Sequence, residues 1–206
     1  MVSLKFVEGA GGAQRSPKSE QRRLAIVQTA TEVINAKSFA SATMKEIAAR
    51  LHLRDAALYY YFVDKQALGY ACQVHTLSRL EAVLDDADRA RGTGLDRVRG
   101  FIAGMLDDSL RNGPLLYLGD LSYLSEDQHG AVTDWLDRLK SRLQGFLNDG
   151  VADGTITPCE TELVVQLLMG MLIWLAKWTL SVGDLTIQRL MQAIGIVSFH
   201  GLERRD

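Results

Sequence analysis

The sequence predicts an all-α protein of about nine helices. Long apolar segments with helical spacing are separated by short polar breaks. Two of these breaks hold a Ser or Thr followed three residues later by Glu or Gln, the capping box that starts helices. No segment has the alternating pattern of a strand, and no internal repeat or low-complexity tract competes with the helical interpretation.

The first predicted helix runs from Ser19 to about Lys37. Its apolar residues recur on one stripe, namely Ile26, Val27, Ala30, Val33 and Ile34. Residues 1–18 are rich in Gly and Ser and lack the apolar core of a signal peptide. We therefore expect a flexible N-terminal arm over residues 1–18 and no export.

A short second helix is predicted from Met44 to about Leu51. Thr43 and Glu46 form a capping box in which each side chain bonds the other residue's backbone amide. After a break at residues 52–54, a third helix covers about Asp55–Tyr61. Two helices of about two turns joined by about three residues have helix-turn-helix spacing.

Six further helices are predicted, the first of them capped by Asp64. Their bounds are about Lys65–Asp88, Leu95–Arg111, Leu115–Leu124, Ser125–Val151, Pro158–Val182 and Asp184–Leu202. The clearest start signal is Thr157 as N-cap with Pro158 at the first helical position and Glu160 at the third.

One apolar run, residues 163–182, approaches the roughly 20 residues that span a bilayer. Gln166 and Lys177 interrupt it, no second span exists, and a charged residue inside a span is costly. A buried packing helix is therefore the favoured interpretation.

Charge is distributed unevenly along the chain. Residues 1–65 hold 10 Lys and Arg against 6 Asp and Glu, and residues 66–206 hold 13 against 19. A basic module of net charge +4 on an acidic body of −6 permits binding to nucleic acid. Cys72 and Cys159 lie far apart without metal-ligand spacing, which indicates a reducing cytoplasm and predicts no metal site and no cofactor.

The third helix carries three consecutive tyrosines. Leu58 and Phe62 lie four residues apart and face the core, so Tyr59 and Tyr60 point outward and Tyr61 lies at the edge. The outer face, with two small alanines, can enter the major groove of DNA. The predicted DNA-binding residues are Thr43, Lys45, Arg54, Asp55, Ala56, Ala57, Tyr59, Tyr60, Tyr61 and Lys65.

Two kinds of contact are predicted within this set. Thr43, Tyr59, Tyr61 and Lys65 would meet phosphates, whereas Lys45, Asp55, Ala56, Ala57 and Tyr60 would read bases. Asp55 either accepts a hydrogen bond from a cytosine amino group or only caps its helix. Taken alone, the tyrosines would better suit an ordinary surface or a protein interface.

The stretch "TMKEIAARLHLRDAALYYYFVDKQAL" resembles the DNA-binding region of TetR-family transcriptional regulators, closely over about Arg22–Leu68. The resemblance implies a DNA-binding domain, residues 19–64, and a ligand-binding and dimerisation domain, residues 65–206. It also implies a homodimer formed through the last two helices and, usually, repression. Ser38 and His52 stand where the family often has glycine, and Arg54 replaces a common Ser or Thr cap.

A set of large apolar residues in the C-terminal part could line an effector pocket or only pack the core. The candidates are Phe101, Met105, Leu116, Tyr117, Tyr123, Trp135, Met169 and Trp174. Their composition predicts a small, largely apolar or aromatic effector.

No catalytic constellation supports an enzyme. Asp107 and Asp108 diverge around their helix, Ser109 has no adjacent base, and no phosphate-binding loop or zinc motif occurs. The sequence thus predicts a cytoplasmic, ligand-responsive regulator that binds a double-stranded DNA operator and has no enzymatic activity. The alternative is a helical protein-interaction module without sequence-specific DNA binding.

Overall fold

The computed structural model describes residues 16–179 and 182–200, and all regular secondary structure within those ranges is helical. The elements are α1 (Pro17–Lys37), α2 (Met44–Arg50), α3 (Asp55–Tyr59), α4 (Lys65–Arg89), α5 (Gly94–Asn112), α6 (Glu126–Ala152), α7 (Thr161–Trp178), α8 (Ile187–Gly195) and a π-helical turn (Ile196–His200). The predicted all-α class is confirmed. Most of the predicted arm and the predicted end at Leu202 lie outside the described residues.

Two apolar cores share one long helix. The first core is formed by α1, α2, α3 and the start of α4, and it contains Ile26, Ile47, Leu58 and Leu68. The second is formed by the rest of α4 with α5, α6, α7 and α8. Because α4 contributes to both, it fixes the small N-terminal module against the larger body.

Most predicted N-caps form. The side chains of Thr43 and Asp64 accept hydrogen bonds from the amides of Glu46 and Ala67, at 3.1 Å and 2.7 Å. The other half of the Thr43 capping box is replaced, since the Glu46 carboxylate pairs with Lys37 Nζ at 2.9 Å. Pro17 at the first helical position and the Ser16 cap start α1 two residues earlier than predicted, which shortens the arm.

The helix predicted at Leu115–Leu124 is wrong, because this segment is a loop. Several of its backbone polar groups are bonded by side chains of α1 and α4. Asn35 Nδ2 donates to the Leu115 carbonyl at 2.8 Å, and the Leu116 amide donates to Thr76 Oγ1 at 2.9 Å. The loop, residues 113–124, therefore needs no helical hydrogen bonds where it is buried.

The last two helices start later than predicted. The segment before α7 is held by a turn in which the Ile156 amide donates to the Gly150 carbonyl at 2.8 Å, so the Pro158 start is wrong and α7 begins at Thr161. Thr186, not Asp184, caps α8, and its hydroxyl accepts from the Arg189 amide at 3.2 Å.

α7 has one buried face and one exposed face. Val165, Leu168 and Leu172 are buried in the second core, whereas Leu167 and Trp174 are 74% and 54% exposed. By length and composition α7 could cross a membrane, but its buried face packs on the helical core. The predicted packing helix is observed, and among the residues that the structure describes one of its two apolar sides is covered.

Candidate functional site

The turn between α2 and α3 presents α3 on the surface. Leu51 ends α2, and the Leu53 amide returns to the Ala48 carbonyl at 2.9 Å. His52 has φ of 55°, in the left-handed region that reverses the chain tightly. This geometry confirms the predicted helix-turn-helix, with α3 shorter at its C-terminal end than expected.

The tyrosine run divides as the helical spacing predicts. Leu58 and Phe62 are buried in the first core, at 0% and 4% exposure. Tyr59 and Tyr60 are 53% and 79% exposed. Tyr61 is partly buried, and its ring lies edge-on to that of Tyr60 with centroids 5.1 Å apart. The rings of Tyr59 and Tyr60 are therefore open to solvent or a ligand, whereas that of Tyr61 is partly packed against the protein.

The N-terminus of α3 is open. Arg54 occupies the N-cap position but makes no capping hydrogen bond with its side chain. Arg54, Asp55 and Ala56 are exposed, and Ala57 is partly exposed. The free backbone amides of this short helix and two small side chains leave room for close approach by another molecule.

Two cations on this side of the molecule are not neutralised by neighbouring carboxylates. Lys37 pairs with Glu46, and Arg50 lies 3.8 Å from Glu32 and from Glu46. Lys45 and Arg54 are exposed and form no ion pair with any residue that the structure describes. Their positive charge is thus available to a polyanion.

Lys65 has a contact that the sequence did not predict. Its Nζ donates to the carbonyls of Ala40 and Ala42, at 3.1 Å and 2.9 Å, and lies 4.5 Å from the ring centroid of Phe39. These contacts fix the loop that precedes Thr43. At most one ammonium proton remains for a ligand, so the side chain mainly positions the start of α2.

A larger cavity of about 440 Å³ lies in the second core, between α4, α5, α7, α8 and the loop at residues 113–124. Met105, Leu116 and Met169 line it, in agreement with the predicted candidates. The other five predicted candidates do not line this cavity. Phe101 and Trp135 are buried elsewhere in the core, Tyr117 and Tyr123 line a smaller cavity, and Trp174 is exposed.

Sequence reasoning missed several lining residues on the same helix faces. They include Thr76 and Leu80 on α4, Leu106, Ser109 and Leu110 on α5, and Leu172 and Leu190 on α7 and α8. Met105 and Ser109 are four residues apart, as are Leu106 and Leu110, so each pair lies along one side of α5. Choosing candidates by the helix face on which they lie, and not by their large or aromatic side chains, would have found these residues.

The smaller cavity, about 190 Å³, lies where the N-terminal module meets the body. The rings of Phe39 and Tyr123 stack there with centroids 3.7 Å apart. The Tyr123 hydroxyl accepts a hydrogen bond from Gln73 Nε2 at 2.8 Å, and burial raises the pKa of Tyr123. Tyr123 therefore stays neutral and joins the body to the loop after α1.

Two family models match the chain. Residues 26–71 match "Bacterial regulatory proteins, tetR family", and residues 91–202 match "Tetracyclin repressor-like, C-terminal domain". The second match alone covers more than half of the 206 residues. This chain belongs to the TetR family. It is accordingly a bacterial regulatory protein of that family, with the family's helix-turn-helix and C-terminal domain.

Solved structures of TetR-family regulators have the same fold. PfmR from Thermus thermophilus is 23% identical with a TM-score of 0.73, covering 87% of this chain and 99% of its own. A ketosteroid transcriptional regulator of Mycobacterium tuberculosis is 18% identical with a TM-score of 0.74, covering 96% and 100%. AibR, solved with isovaleryl coenzyme A and operator DNA, is 20% identical with a TM-score of 0.72, covering 86% and 98%. No curated protein matches the chain.

The departures from common TetR-family residues have structural consequences. Ser38 ends α1 with φ of 79° and ψ of 160°, and His52 has φ of 55°. Both conformations suit glycine, which the sequence comparison with the family had suggested for these positions. Ser38 and His52 therefore hold backbone conformations that are strained for residues with a Cβ atom.

Proposed function

We propose that this TetR-family regulator is a cytoplasmic repressor released from its operator by a small, largely apolar effector. The observation that carries the proposal is that α4 packs into the core of the module that presents α3 and also lines the cavity. A ligand in the body can thereby influence the DNA-binding module. Residues 19–64 would bind DNA, and residues 65–206 would bind the ligand and dimerise.

In this proposal α3 enters the major groove. Tyr60, Lys45 and Asp55 are exposed and would read base edges together with Ala56 and Ala57. Thr43, Tyr59, Tyr61 and Arg54 would bond phosphates, while Lys65 would add a phosphate contact only with its remaining proton. Asp55 either reads a base or stabilises the positive end of its helix.

The test is binding to operator DNA selected from genomic fragments, measured at several salt concentrations. We expect salt-sensitive, sequence-selective binding. Tyr60→Ala should reduce discrimination between operator and mismatched duplexes by roughly tenfold, since one lost base contact costs about 1–3 kcal/mol. Val63→Ala is the matched control, because Val63 is 78% exposed beside the tyrosines but outside the proposed contact set.

Absence of sequence-selective binding in intact dimers would contradict this function and favour a protein-interaction module. Equal effects of Tyr60→Ala on all duplexes would contradict the base-reading role of Tyr60 alone. The DNA-binding function and the base-reading role of Tyr60 can therefore be contradicted separately.

The exposed face of α7 supports a homodimer through α7 and α8. Leu163, Leu167 and Trp174 are more than half exposed and recur at helical spacing on one stripe. Ile196 and Val197 extend the exposed apolar surface after α8. Apolar patches of this kind are covered in obligate assemblies.

Sedimentation at micromolar concentration tests the dimer. Leu167→Glu should produce monomers, since it places a charge at the centre of the stripe. Leu24→Glu on α1, where Leu24 is 42% exposed, is the control and should remain dimeric. A dimeric Leu167→Glu variant would place the interface elsewhere.

In this proposal the effector releases the protein from DNA by changing the distance between the two recognition helices of the dimer. The two recognition helices of a dimer must reach successive major grooves about 34 Å apart. An effector that stabilises another spacing lowers operator affinity by population shift. If a ligand binds the cavity and operator affinity stays the same, this coupling is wrong.

A further inference from the structure

The walls of the 440 Å³ cavity are almost entirely aliphatic. Leucine, isoleucine and methionine side chains predominate, and no aromatic ring and no Lys, Arg or His occurs among the lining residues within the described ranges. Asp184 is the single ionisable residue in that lining. The cavity therefore offers hydrocarbon contact and, at one point, a negative charge.

The hydroxyl groups in the wall are already bonded to the backbone. Ser109 Oγ donates to the Met105 carbonyl at 2.9 Å, and Thr179 Oγ1 donates to the Leu175 carbonyl at 2.9 Å. Thr76 Oγ1 accepts from the Leu116 amide at 2.9 Å. Ser109 and Thr179 have already donated their hydroxyl protons, and the Thr76 hydroxyl can donate to a ligand, but none of these groups supplies a positive charge for an anion.

Two cations lie next to the lining, and both are bonded to the protein: Arg189 donates to the Asp184 carbonyl at 2.7 Å, and Arg79 lies behind the wall. Arg79 pairs with Asp108 at 2.8 Å and donates to the Gly113 carbonyl at 2.6 Å. Its side chain is only 10% exposed. Moving it to a ligand would leave the largely buried Asp108 carboxylate with the Asn112 side-chain amide but without its cation, which is unfavourable.

The size of the cavity suits a small molecule, since ligand sites span about 300–1,000 Å³. An anionic ligand would have to place its carboxylate or phosphate either among leucines or at a rim where Asp184 is the single ionisable residue of the lining. A neutral ligand avoids this cost and gains from every methylene that it buries.

We propose that the effector of this cavity is an uncharged molecule with a hydrocarbon body, and not a carboxylate or a coenzyme A thioester. This inference rests on the proposed function, which assigns the cavity to an effector. The favoured ligands carry one neutral hydrogen-bonding group, such as an alcohol, ketone or ester. The hydrocarbon body fills the aliphatic part between α5 and α7.

The experiment compares ligands of one chain length by isothermal titration at pH 7.5. 1-Decanol should bind at least tenfold more tightly than decanoate, decylamine or decanoyl coenzyme A. In the series from 1-octanol to 1-decanol, each added methylene should tighten binding by about fourfold. Equal or tighter binding of any charged probe overturns the proposal, as does absence of 1-decanol binding.

A substitution at the rim of the cavity tests whether the ligand binds there. Leu110 lines the cavity and is 69% exposed, so Leu110→Lys adds a cation there without burying it. It should raise the affinity for decanoate relative to that for 1-decanol by about threefold to fivefold, since an exposed ion pair contributes up to about 1 kcal/mol. Leu24→Lys on α1, outside the cavity lining, is the matched control and should leave both affinities unchanged. No gain for decanoate in Leu110→Lys overturns the assignment of the ligand to this cavity.

Operator binding without ligand is measured on the same samples. Failure to bind any duplex contradicts the regulatory function, whereas normal operator binding with preference for an anionic probe contradicts only the ligand class. The two proposals can therefore fail independently.

Discussion

The side-chain amide of Asn35 on α1 holds the backbone carbonyl of Leu115, with a distance of 2.8 Å between Nδ2 and the oxygen. Its Oδ1 accepts from the amide of Tyr117, also at 2.8 Å. Asn35 is 5% exposed, and Leu115 and Leu116 line the larger cavity. One residue of the N-terminal module thus fixes part of the cavity wall.

Asn35→Ala should lower the free energy of unfolding by about 2–4 kcal/mol, because it leaves an amide and a carbonyl of the loop without partners. It should also reduce the effect of a bound ligand on operator affinity. Urea denaturation and operator titrations with and without 1-decanol measure the two effects.

Gln28→Ala is the matched control for Asn35→Ala. Gln28 Nε2 donates to the Asn112 carbonyl at 3.1 Å, but this bond is exposed to solvent. Its loss should cost less than about 1 kcal/mol, because water replaces the partner. Similar costs for both variants would contradict a special role of the Asn35 contacts.

Ser38→Gly should stabilise the protein by about 1 kcal/mol. The backbone at Ser38, with φ of 79° and ψ of 160°, lies in a region that is costly for residues with a Cβ atom. The backbone strain that glycine relieves is larger, in free energy, than the cost of the conformational entropy that it adds to the unfolded chain. Thermal unfolding checks this, and Ser41→Gly, in the same loop without a positive φ, should be neutral or destabilising.

Arg54→Ser should separate stability from DNA binding. A serine N-cap on α3 should add about 0.5–2 kcal/mol to the free energy of unfolding. Loss of the cation should weaken operator binding and reduce the magnitude of the salt slope by about 0.9, the effect of one phosphate contact. Arg54→Ala should show the same DNA effect without the gain in stability. Unchanged salt dependence in both variants would remove Arg54 from the proposed contact set.

His75 should make the protein less stable below neutral pH. Burial and the neighbouring Arg79 lower the pKa of His75 from 6.5, and the Asp108 charge opposes this only in part. The unfolded chain therefore binds the proton first as the pH falls below about 6.5, and stability is lost as the pH drops from there towards the folded pKa.

Urea denaturation between pH 5 and 8 measures this effect as the difference between wild type and His75→Gln. The loss of stability at low pH should be smaller in His75→Gln. His129→Gln, at an exposed position, should follow wild type. A His75→Gln variant with the same pH dependence as wild type would show that His75 is not the source.

Local signals predicted the DNA-binding module well. Thr43 and Asp64 cap their helices because a side-chain oxygen three residues before a free amide suffices. The face assigned to Leu58 and Phe62 follows directly from helical geometry.

Long-range contacts explain the errors. The signal at Thr157 and Pro158 fails because the turn there is tied to Gly150 and to α5, with the Gly94 amide donating to Asp153 Oδ2 at 2.8 Å. The residues at 115–124 resemble a helix locally, yet Asn35 and Thr76 bind their backbone from distant positions. The residues that line a cavity are still harder to predict from the sequence, because tertiary packing decides which buried residues leave space between them.

In the proposed release from DNA, the length of α4 would set how strongly a small movement at the cavity changes operator binding. Leu80 touches the cavity, and Lys65 at the start of the same helix holds the loop before Thr43. Fifteen residues of helix separate them by about 22 Å, so a rotation of about 5° at Leu80 would displace Lys65 by about 2 Å. A hydrogen bond to a base edge tolerates only about 0.5 Å. A ligand that tilts α4 by a few degrees would therefore be enough to break base contacts at the far end.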